Sequence, residues 1–393
     1  MNIIEEKVTE IEEEIIEIRR EIHANPELGF QEFNTTNLIY NTLKDTEIRL
    51  EICEGGTGVI GVLEGETEGR VLGIRADIDA LPIFEETGLT FSSKTEGKMH
   101  ACGHDIHTSV LLGTALTLNK LRKQIKGTIK FIFQPAEETL GGAQFMIEQH
   151  ALKNPDVDHL ICLHTWPFTD VGKIGIRHNT IMASTNEFDI KVMGDSGHAA
   201  HPHKSIDPIP VATQIVDGLQ QIVSRKLPPL ESAVVTVAQI HGGTANNVIA
   251  KEVTISGTVR TLQTEISDKI KSHLKAISKN IAEAYGAQAT INFNPGTPPV
   301  INDDFLVDLM EHTIKTNLGE DSLEYLSTPS LGGEDFSFYL NEVKGMLFRL
   351  GTGNELDESR KGLHNPKIIF DEKSIPTGIK ALSHFAVNYF DKQ

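Results

Sequence analysis

Four short stretches hold the side chains best suited to bind a divalent metal or move a proton. The first is Met99-His100-Ala101-Cys102-Gly103-His104-Asp105-Ile106-His107. Thiolate and imidazole are the usual ligands of a borderline metal such as zinc. Cys102, His104 and His107 can face one point only if a helix starts near Asp105, a residue type suited to cap it. A buried free cysteine beside surface histidines is the alternative reading of this stretch alone. The second is Phe131 to Glu138, where a strand stops at Pro135 and presents two adjacent carboxylates, Glu137 and Glu138. Adjacent side chains point in different directions. One can bind metal while the other faces a water, although a solvated acidic turn is the alternative. The third, Leu160 to Pro167, ends a buried-looking strand at His164, and the fourth, Gly362 to Pro366, puts His364 in a loop. Either histidine alone also reads as structural. All four stretches fall at strand ends or helix starts, where α/β folds place ligands and catalysts.

Two other motifs carry no such chemistry. Gly56-Thr57-Gly58-Val59-Ile60-Gly61 has dinucleotide-loop spacing but leads into strand material, not a helix. Gly194-Asp195-Ser196-Gly197 resembles a nucleophile loop, but nothing nearby marks a base or oxyanion hole.

The elements that must position these residues follow from periodicity. Ile4, Val8, Ile11, Ile15, Ile18 and Ile22 are spaced by alternating gaps of 4 and 3, an amphipathic helix ended by Asn25-Pro26. Strands are expected at 58–63, 71–76, 128–133 and 160–164, and helices at 105–121 and 141–150. The mixture predicts an α/β domain with a mixed sheet and helices on both faces. The middle of the chain predicts strand 187–193, helix 206–226, strands 232–240 and 253–260, helix 267–285 and strand 289–293. That βαββαβ order is the split unit of ferredoxin-like folds. Asn294 to Pro299 reads as a junction. The expected organisation is therefore a catalytic domain over 1–181 and 297–393, interrupted by a lid and dimerisation domain over 182–296. A final amphipathic helix is expected at 374–390.

The 393 residues suit two or three domains at roughly 100–200 residues each. Lysine plus arginine number 36 against 55 acidic residues, a net charge of −19 that opposes nucleic-acid and anionic-membrane binding. No apolar run approaches the ~20 residues that span a bilayer. The first residues are acidic where a signal peptide is basic, and three cysteines exclude a disulfide framework. A reducing, cytoplasmic location is the expectation.

Taken in chain order, the motifs resemble one family. They are His23 to Phe30, Arg75 to Pro82, Met99 to Asp105, Gln134 to Glu138, Leu163-His164, Gly197-His198, Gly242 to Ile249, Gly257 to Arg260, Gly333 to Phe336 and His364 to Pro366. The sequence resembles the metal-dependent amidohydrolases of the aminoacylase, carboxypeptidase and desuccinylase superfamily. It is most similar to the branch with hippurate hydrolases and N-acyl-amino-acid amidohydrolases. The resemblance implies two divalent ions (zinc, manganese, cobalt or nickel) held by Cys102, His104, Glu138, His164 and His364, with Cys102 bridging. Other branches carry a metal-binding histidine near the position of Arg75. It implies Glu137 as general base and His198 as oxyanion donor, with His201 and His203 as neighbouring rivals. Asn247 and Arg260 would hold the substrate carboxylate. Asp77, Asp105 and, with packing as its alternative, His107 would orient the ligands. The implied reaction is hydrolysis of an N-acyl amino acid by a homodimer. A dipeptidase, or a homologue that binds metal without catalysis, are the alternatives.

Overall fold

The computed structural model describes residues 3–294 and 296–391, so Pro295 of the expected junction lies outside the described residues. The chain divides into two compact units. The larger comprises residues 1–181, 301–328 and 335–393, and the smaller 182–300 and 329–334. The short return at 329–334 carries no signal in the sequence.

The larger unit is built on a mixed eight-stranded sheet. Its spatial order is Arg49–Ile52, Val59–Glu64, Lys126–Gln134, Thr67–Asp77, His159–Asp170, Lys344–Gly353, Ile174–Ile176 and Leu323–Tyr325. The three pairings among the four strands from 126–134 to 344–353 are parallel. Strands Lys126–Gln134 and Thr67–Asp77 therefore end on the same side of the sheet, at Gln134 and Asp77, whereas His164 lies in the middle of its strand. Helices Ile3–Ala24, His104–Lys120 and Ser374–Asp391 pack on one another and on the sheet. Ile4, Val8, Ile11 and Ile15 are buried there with Ile129, Phe131 and Phe133, Ile18 packs half-buried against them, and Ile22 is buried outside this cluster. Full burial of one such side chain stabilises by about 1.5–3 kcal/mol, so this layer holds the sheet edge rigid. Alternate residues such as Ile132, Cys162 and Leu347 are buried outside that cluster. No described helix is long and apolar enough to cross a membrane.

The smaller unit is a four-stranded antiparallel sheet in the order Ala233–Gly242, Glu252–Thr261, Ser184–Met193, Gln288–Asn294. With helices Pro208–Leu219 and Thr264–Ala284 between the strands, it has the βαββαβ connectivity. Phe188, Ile190 and Val192 alternate into its core. The helix expected over 206–226 starts later, because Asp207 caps it by accepting from Ile209 N at 3.0 Å and Pro208 takes its first position. It ends at Leu219, and a single π-helical turn follows over Ile222–Lys226.

Candidate metal centre

Helix His104–Lys120 begins at Gly103, whose φ of +87° is left-handed. A Cβ there would lie 2.5 Å from Thr165 Oγ1, so only glycine fits. Asp105 therefore does not cap this helix. It sits inside the first turn, and its buried Oδ2 meets Arg19 Nε and His23 Nδ1, both at 2.8 Å. The expected ligand-orienting role of Asp105 is not realised by a hydrogen bond to any of the five candidate ligands. Its partners come from 86 and 82 residues upstream.

The turn aims Cys102 and His104 at one region. Cys102 Sγ lies 3.5 Å from His164 Nε2. The ligand atoms of Cys102, His104 and His164 lie within 4.8 Å of one another, as do those of Cys102, Glu138 and His364. Cys102 belongs to both groups. Glu138 Oε1 is 3.3 Å from His364 Nε2 and 3.9 Å from His104 Nε2. Glu137 also lies within the same 4.8 Å limit of His104 and Glu138. The structure thus brings together all five expected ligands and Glu137, drawn from one strand end, one helix start, the loop at His364 and, for His164, the middle of strand His159–Asp170, which runs on past the end expected at 164.

The ring orientations are fixed from behind. His104 Nδ1 meets Asp79 O at 2.9 Å and Asp79 Oδ1 at 3.1 Å, leaving the buried Nε2 without a hydrogen-bond partner. His164 Nδ1 meets Thr165 O at 2.8 Å, turning Nε2 toward Cys102. Buried Glu138 Oε1 has no hydrogen-bond partner either. These inward atoms fit a divalent cation, whose ligands are typically oriented by such partners. His107 is different. Its Nε2 accepts from Thr165 N at 2.8 Å and its Nδ1 faces Asp77 Oδ1 at 2.5 Å. Both nitrogens are engaged, so His107 packs rather than ligates. Asp77 holds His107 and Arg75, whereas Asp79, which sequence reasoning missed, holds His104. Asp79 stands two residues beyond Asp77, where the strand ends, and its place in the same Arg75–Pro82 motif was the available signal.

The electrostatics also favour a cation. Burial pushes the Cys102 thiol well up, and Glu138, Glu137 and Asp77 push it further, so a thiolate there needs positive charge beside it. Burial alone would lower His104, but Asp77, Asp79 and Glu138 outweigh it and lift it to about 10. Burial, then His107 and Arg349, holds His164 well below the imidazole range, in the neutral form that binds metal.

Behind the centre lies a second buried network. Arg75 donates from Nε to Gln134 Oε1 at 2.8 Å, from Nη1 to Asp77 Oδ2 at 2.7 Å and from Nη2 to Asp335 Oδ1 at 2.8 Å. Asp335 also accepts from Gln134 Nε2 at 2.9 Å and Ala143 N at 2.8 Å. Its own N–H reaches Glu137 Oε1 at 3.4 Å. Asp335 stands in the Gly333–Phe336 motif, but nothing in its spacing pointed to Arg75.

In the smaller unit, strand Gly197–His198 pairs with Val248–Ile249, bringing His198 beside Asn247 in that unit. His198 Nδ1 accepts from Ala200 N at 3.0 Å, which leaves the neutral ring's proton on Nε2. His201 precedes the short turn Pro202–Lys204 and His203 lies within it, with ring centroids 6.1 Å apart. Arg260 lies on strand Glu252–Thr261 opposite Thr185, and burial lowers its guanidinium from the usual value.

Comparison with known proteins places this geometry. An N-acetylcysteine deacetylase of Bacillus subtilis is 40% identical over 374 residues, covering 95% of this chain and 96% of the relative. An N-acetyldiaminopimelate deacetylase of Listeria monocytogenes is 38% identical, covering 95% and 98%. A solved Bacillus subtilis structure, described as a dinuclear metal binding peptidase of the M20 family, superposes with a TM-score of 0.86 at 35% identity. It covers 98% of this chain and 100% of that one. The model of peptidase family M20/M25/M40 matches residues 73–388, and the chain belongs to that family of hydrolases.

Proposed function

We propose that the chain is a dinuclear metal-dependent amidohydrolase that cleaves N-acyl amino acids, N-acetyl or aroyl conjugates, to an acid and a free amino acid. The observation that carries this reading is the convergence of Cys102, His104, Glu138, His164 and His364 with Glu137 at their side. Relatives named as deacetylases of N-acetyl amino acids support the substrate class.

The five side chains would hold the two ions, and Cys102, common to both groups of donors, would bridge them. When bound, such a pair polarises the amide carbonyl and acidifies a water. Glu137 takes the proton from the water as its oxygen attacks the carbonyl carbon. It returns that proton to the nitrogen as the C–N bond breaks. General acid–base work of this kind contributes about 10²–10⁴-fold. His198 would donate from Nε2 to the developing oxyanion, a contact worth about 10²–10³-fold. Asn247 and Arg260 would hold the substrate carboxylate. Asp77 keeps its supporting role through His107, and Asp79 joins it through His104.

A homodimer through the smaller unit belongs to the same reading. Strand Ala233–Gly242 is an edge strand, paired on one side by Glu252–Thr261, and is largely exposed. Such edges invite pairing with a second chain. The three cysteines are free and buried, in keeping with a reducing, cytoplasmic compartment. Zinc, manganese, cobalt and nickel all suit the donor set.

A dipeptidase is the second reading, favoured by the solved relative described as a peptidase. Turnover of N-acetyl amino acids and of unblocked dipeptides by the metal-reconstituted protein decides between them. We expect the N-acetyl substrates to be cleaved. Preference for free dipeptides would replace this reading by the second, and cleavage of neither would leave the non-catalytic homologue.

A further inference from the structure

Glu32 is the residue immediately before helix Phe33–Leu43, where a carboxylate ordinarily caps its own helix. It makes no capping hydrogen bond. That work is done from five residues upstream. Glu27 accepts from Thr35 N at 2.9 Å and Thr35 Oγ1 at 3.0 Å through Oε2, and from Asn34 N at 3.1 Å through Oε1. With the helix capped, the Glu32 side chain turns inward and is fully buried. Its Oε1 accepts from Ala136 N at 2.8 Å.

Ala136 is the residue before Glu137, and its φ of +57° is left-handed, a conformation that residues with a Cβ hold only when their surroundings impose it. From the 27–32 segment the Glu32 bond holds it. Gly29 of the same segment leaves it room: an added Cβ there would lie 3.1 Å from Ala136 Cα. On the far side of Glu137, Asp79 Oδ2 accepts from Glu138 N at 3.0 Å. Glu137 is thus held between two backbone amides, each anchored by a buried carboxyl group. The 27–32 segment also accepts from Ala80 N through Glu27 O at 2.8 Å, so it ties the Asp79 loop to the Glu137 loop.

We propose that Glu32 is a positioning residue for the hydrolysis, holding Ala136 in its left-handed conformation and so setting the aim of Glu137. The proposal rests on the reading of Glu137 as general base. Glu32 Oε2 has no hydrogen-bond partner, and burial followed by the charge of Asp79 raises the carboxyl to about 8. The group therefore works as a neutral acid whose Oε1 accepts. Glutamine reproduces that form, whereas alanine removes the acceptor.

The test is steady-state kinetics of wild type, Glu32→Gln and Glu32→Ala on one N-acetyl amino acid, with metal content measured on each protein. Misplacing a catalytic group by about 1 Å costs on the order of 10²-fold. We expect Glu32→Ala to lose roughly that much kcat while KM and metal content stay at wild-type values. Glu32→Gln should recover kcat to within about threefold. Gly29→Ala, which pushes on Ala136 from the other side, should lower kcat in the same way and serves if Glu32→Ala does not fold. Wild-type kcat in Glu32→Ala or, failing its folding, in Gly29→Ala overturns the proposal, as does equal loss in Glu32→Gln and Glu32→Ala. A kcat loss that follows metal loss also overturns it. These outcomes leave the hydrolase reading standing. A wild-type protein that cleaves no N-acyl amino acid overturns both.

Discussion

Arg75 Nη2 donates to Asp335 Oδ1 at 2.8 Å, and both side chains are wholly buried. The same guanidinium holds Asp77, so one cation serves two buried carboxylates. Removing it takes the guanidinium from both, leaving Asp77 its bond to His107 and Asp335 its bonds from Gln134 and Ala143. Breaking a buried pair in this way costs about 3–5 kcal/mol. We expect Arg75→Gln to lower the urea unfolding midpoint by that equivalent. Arg75→Lys should rescue only part, because an ammonium cannot match the planar fork to three acceptors. An unchanged midpoint in Arg75→Gln would show that the network stabilises nothing.

Glu137 and Glu138 are adjacent but are expected to fail differently. Glu137→Gln keeps the shape and removes the base, so turnover should fall by about 10²–10⁴-fold with metal content unchanged. Elemental analysis beside initial rates checks both halves. Metal loss in Glu137→Gln would contradict the division of roles.

Cys102 and His107 provide a second contrast. Cys102 belongs to two groups of converging donors, whereas both nitrogens of His107 are engaged by Asp77 and Thr165. Cys102→Ser should therefore weaken metal retention more than His107→Ala. Supporting residues typically cost 10–100-fold in affinity. Chelator competition measures the difference, and equal losses would remove Cys102 from its bridging place.

Glu32 carries a pH dependence whose sign is fixed by the direction of its shift. Its carboxyl lies at about 8 in the folded protein, above the usual carboxylate value. The folded state holds the proton between about 4.5 and 8 while the unfolded chain has lost it. Its contribution to stability is thus intact below about 4.5 and declines as pH rises toward 8, by up to ~1.4 kcal/mol per unit. Above about 8 the decline stops. Thermal unfolding of wild type and Glu32→Gln across this range should show wild type losing ground only inside that window. Parallel curves would mean that Glu32 is ionised throughout.

Much of the fold was legible in the sequence because it rests on repetition. The alternating gaps from Ile4 to Ile22 define one buried stripe, and the middle segment spells its strands and helices in order. The candidate site was legible at its inner surface, where cysteine, histidine and paired glutamates stand at element ends. Beyond Asp77, what supports it was not. Asp105 stands at a helix start, and local rules make it a cap. Its partners are Arg19 and His23, 86 and 82 residues upstream, which no local rule reveals. Arg75 and Glu32 are hidden for the same reason: their partners, Asp335 and Ala136, become neighbours only when distant segments fold together.

The central claim is that a pair of cations sits among five named side chains. Anomalous diffraction from crystals of the metal-reconstituted protein tests it most directly. We expect two peaks about 3.5–4 Å apart, with Cys102 Sγ against both and His104, Glu138, His164 and His364 completing the set. A single peak remote from Cys102, or peaks elsewhere with these side chains bound to none, would contradict it.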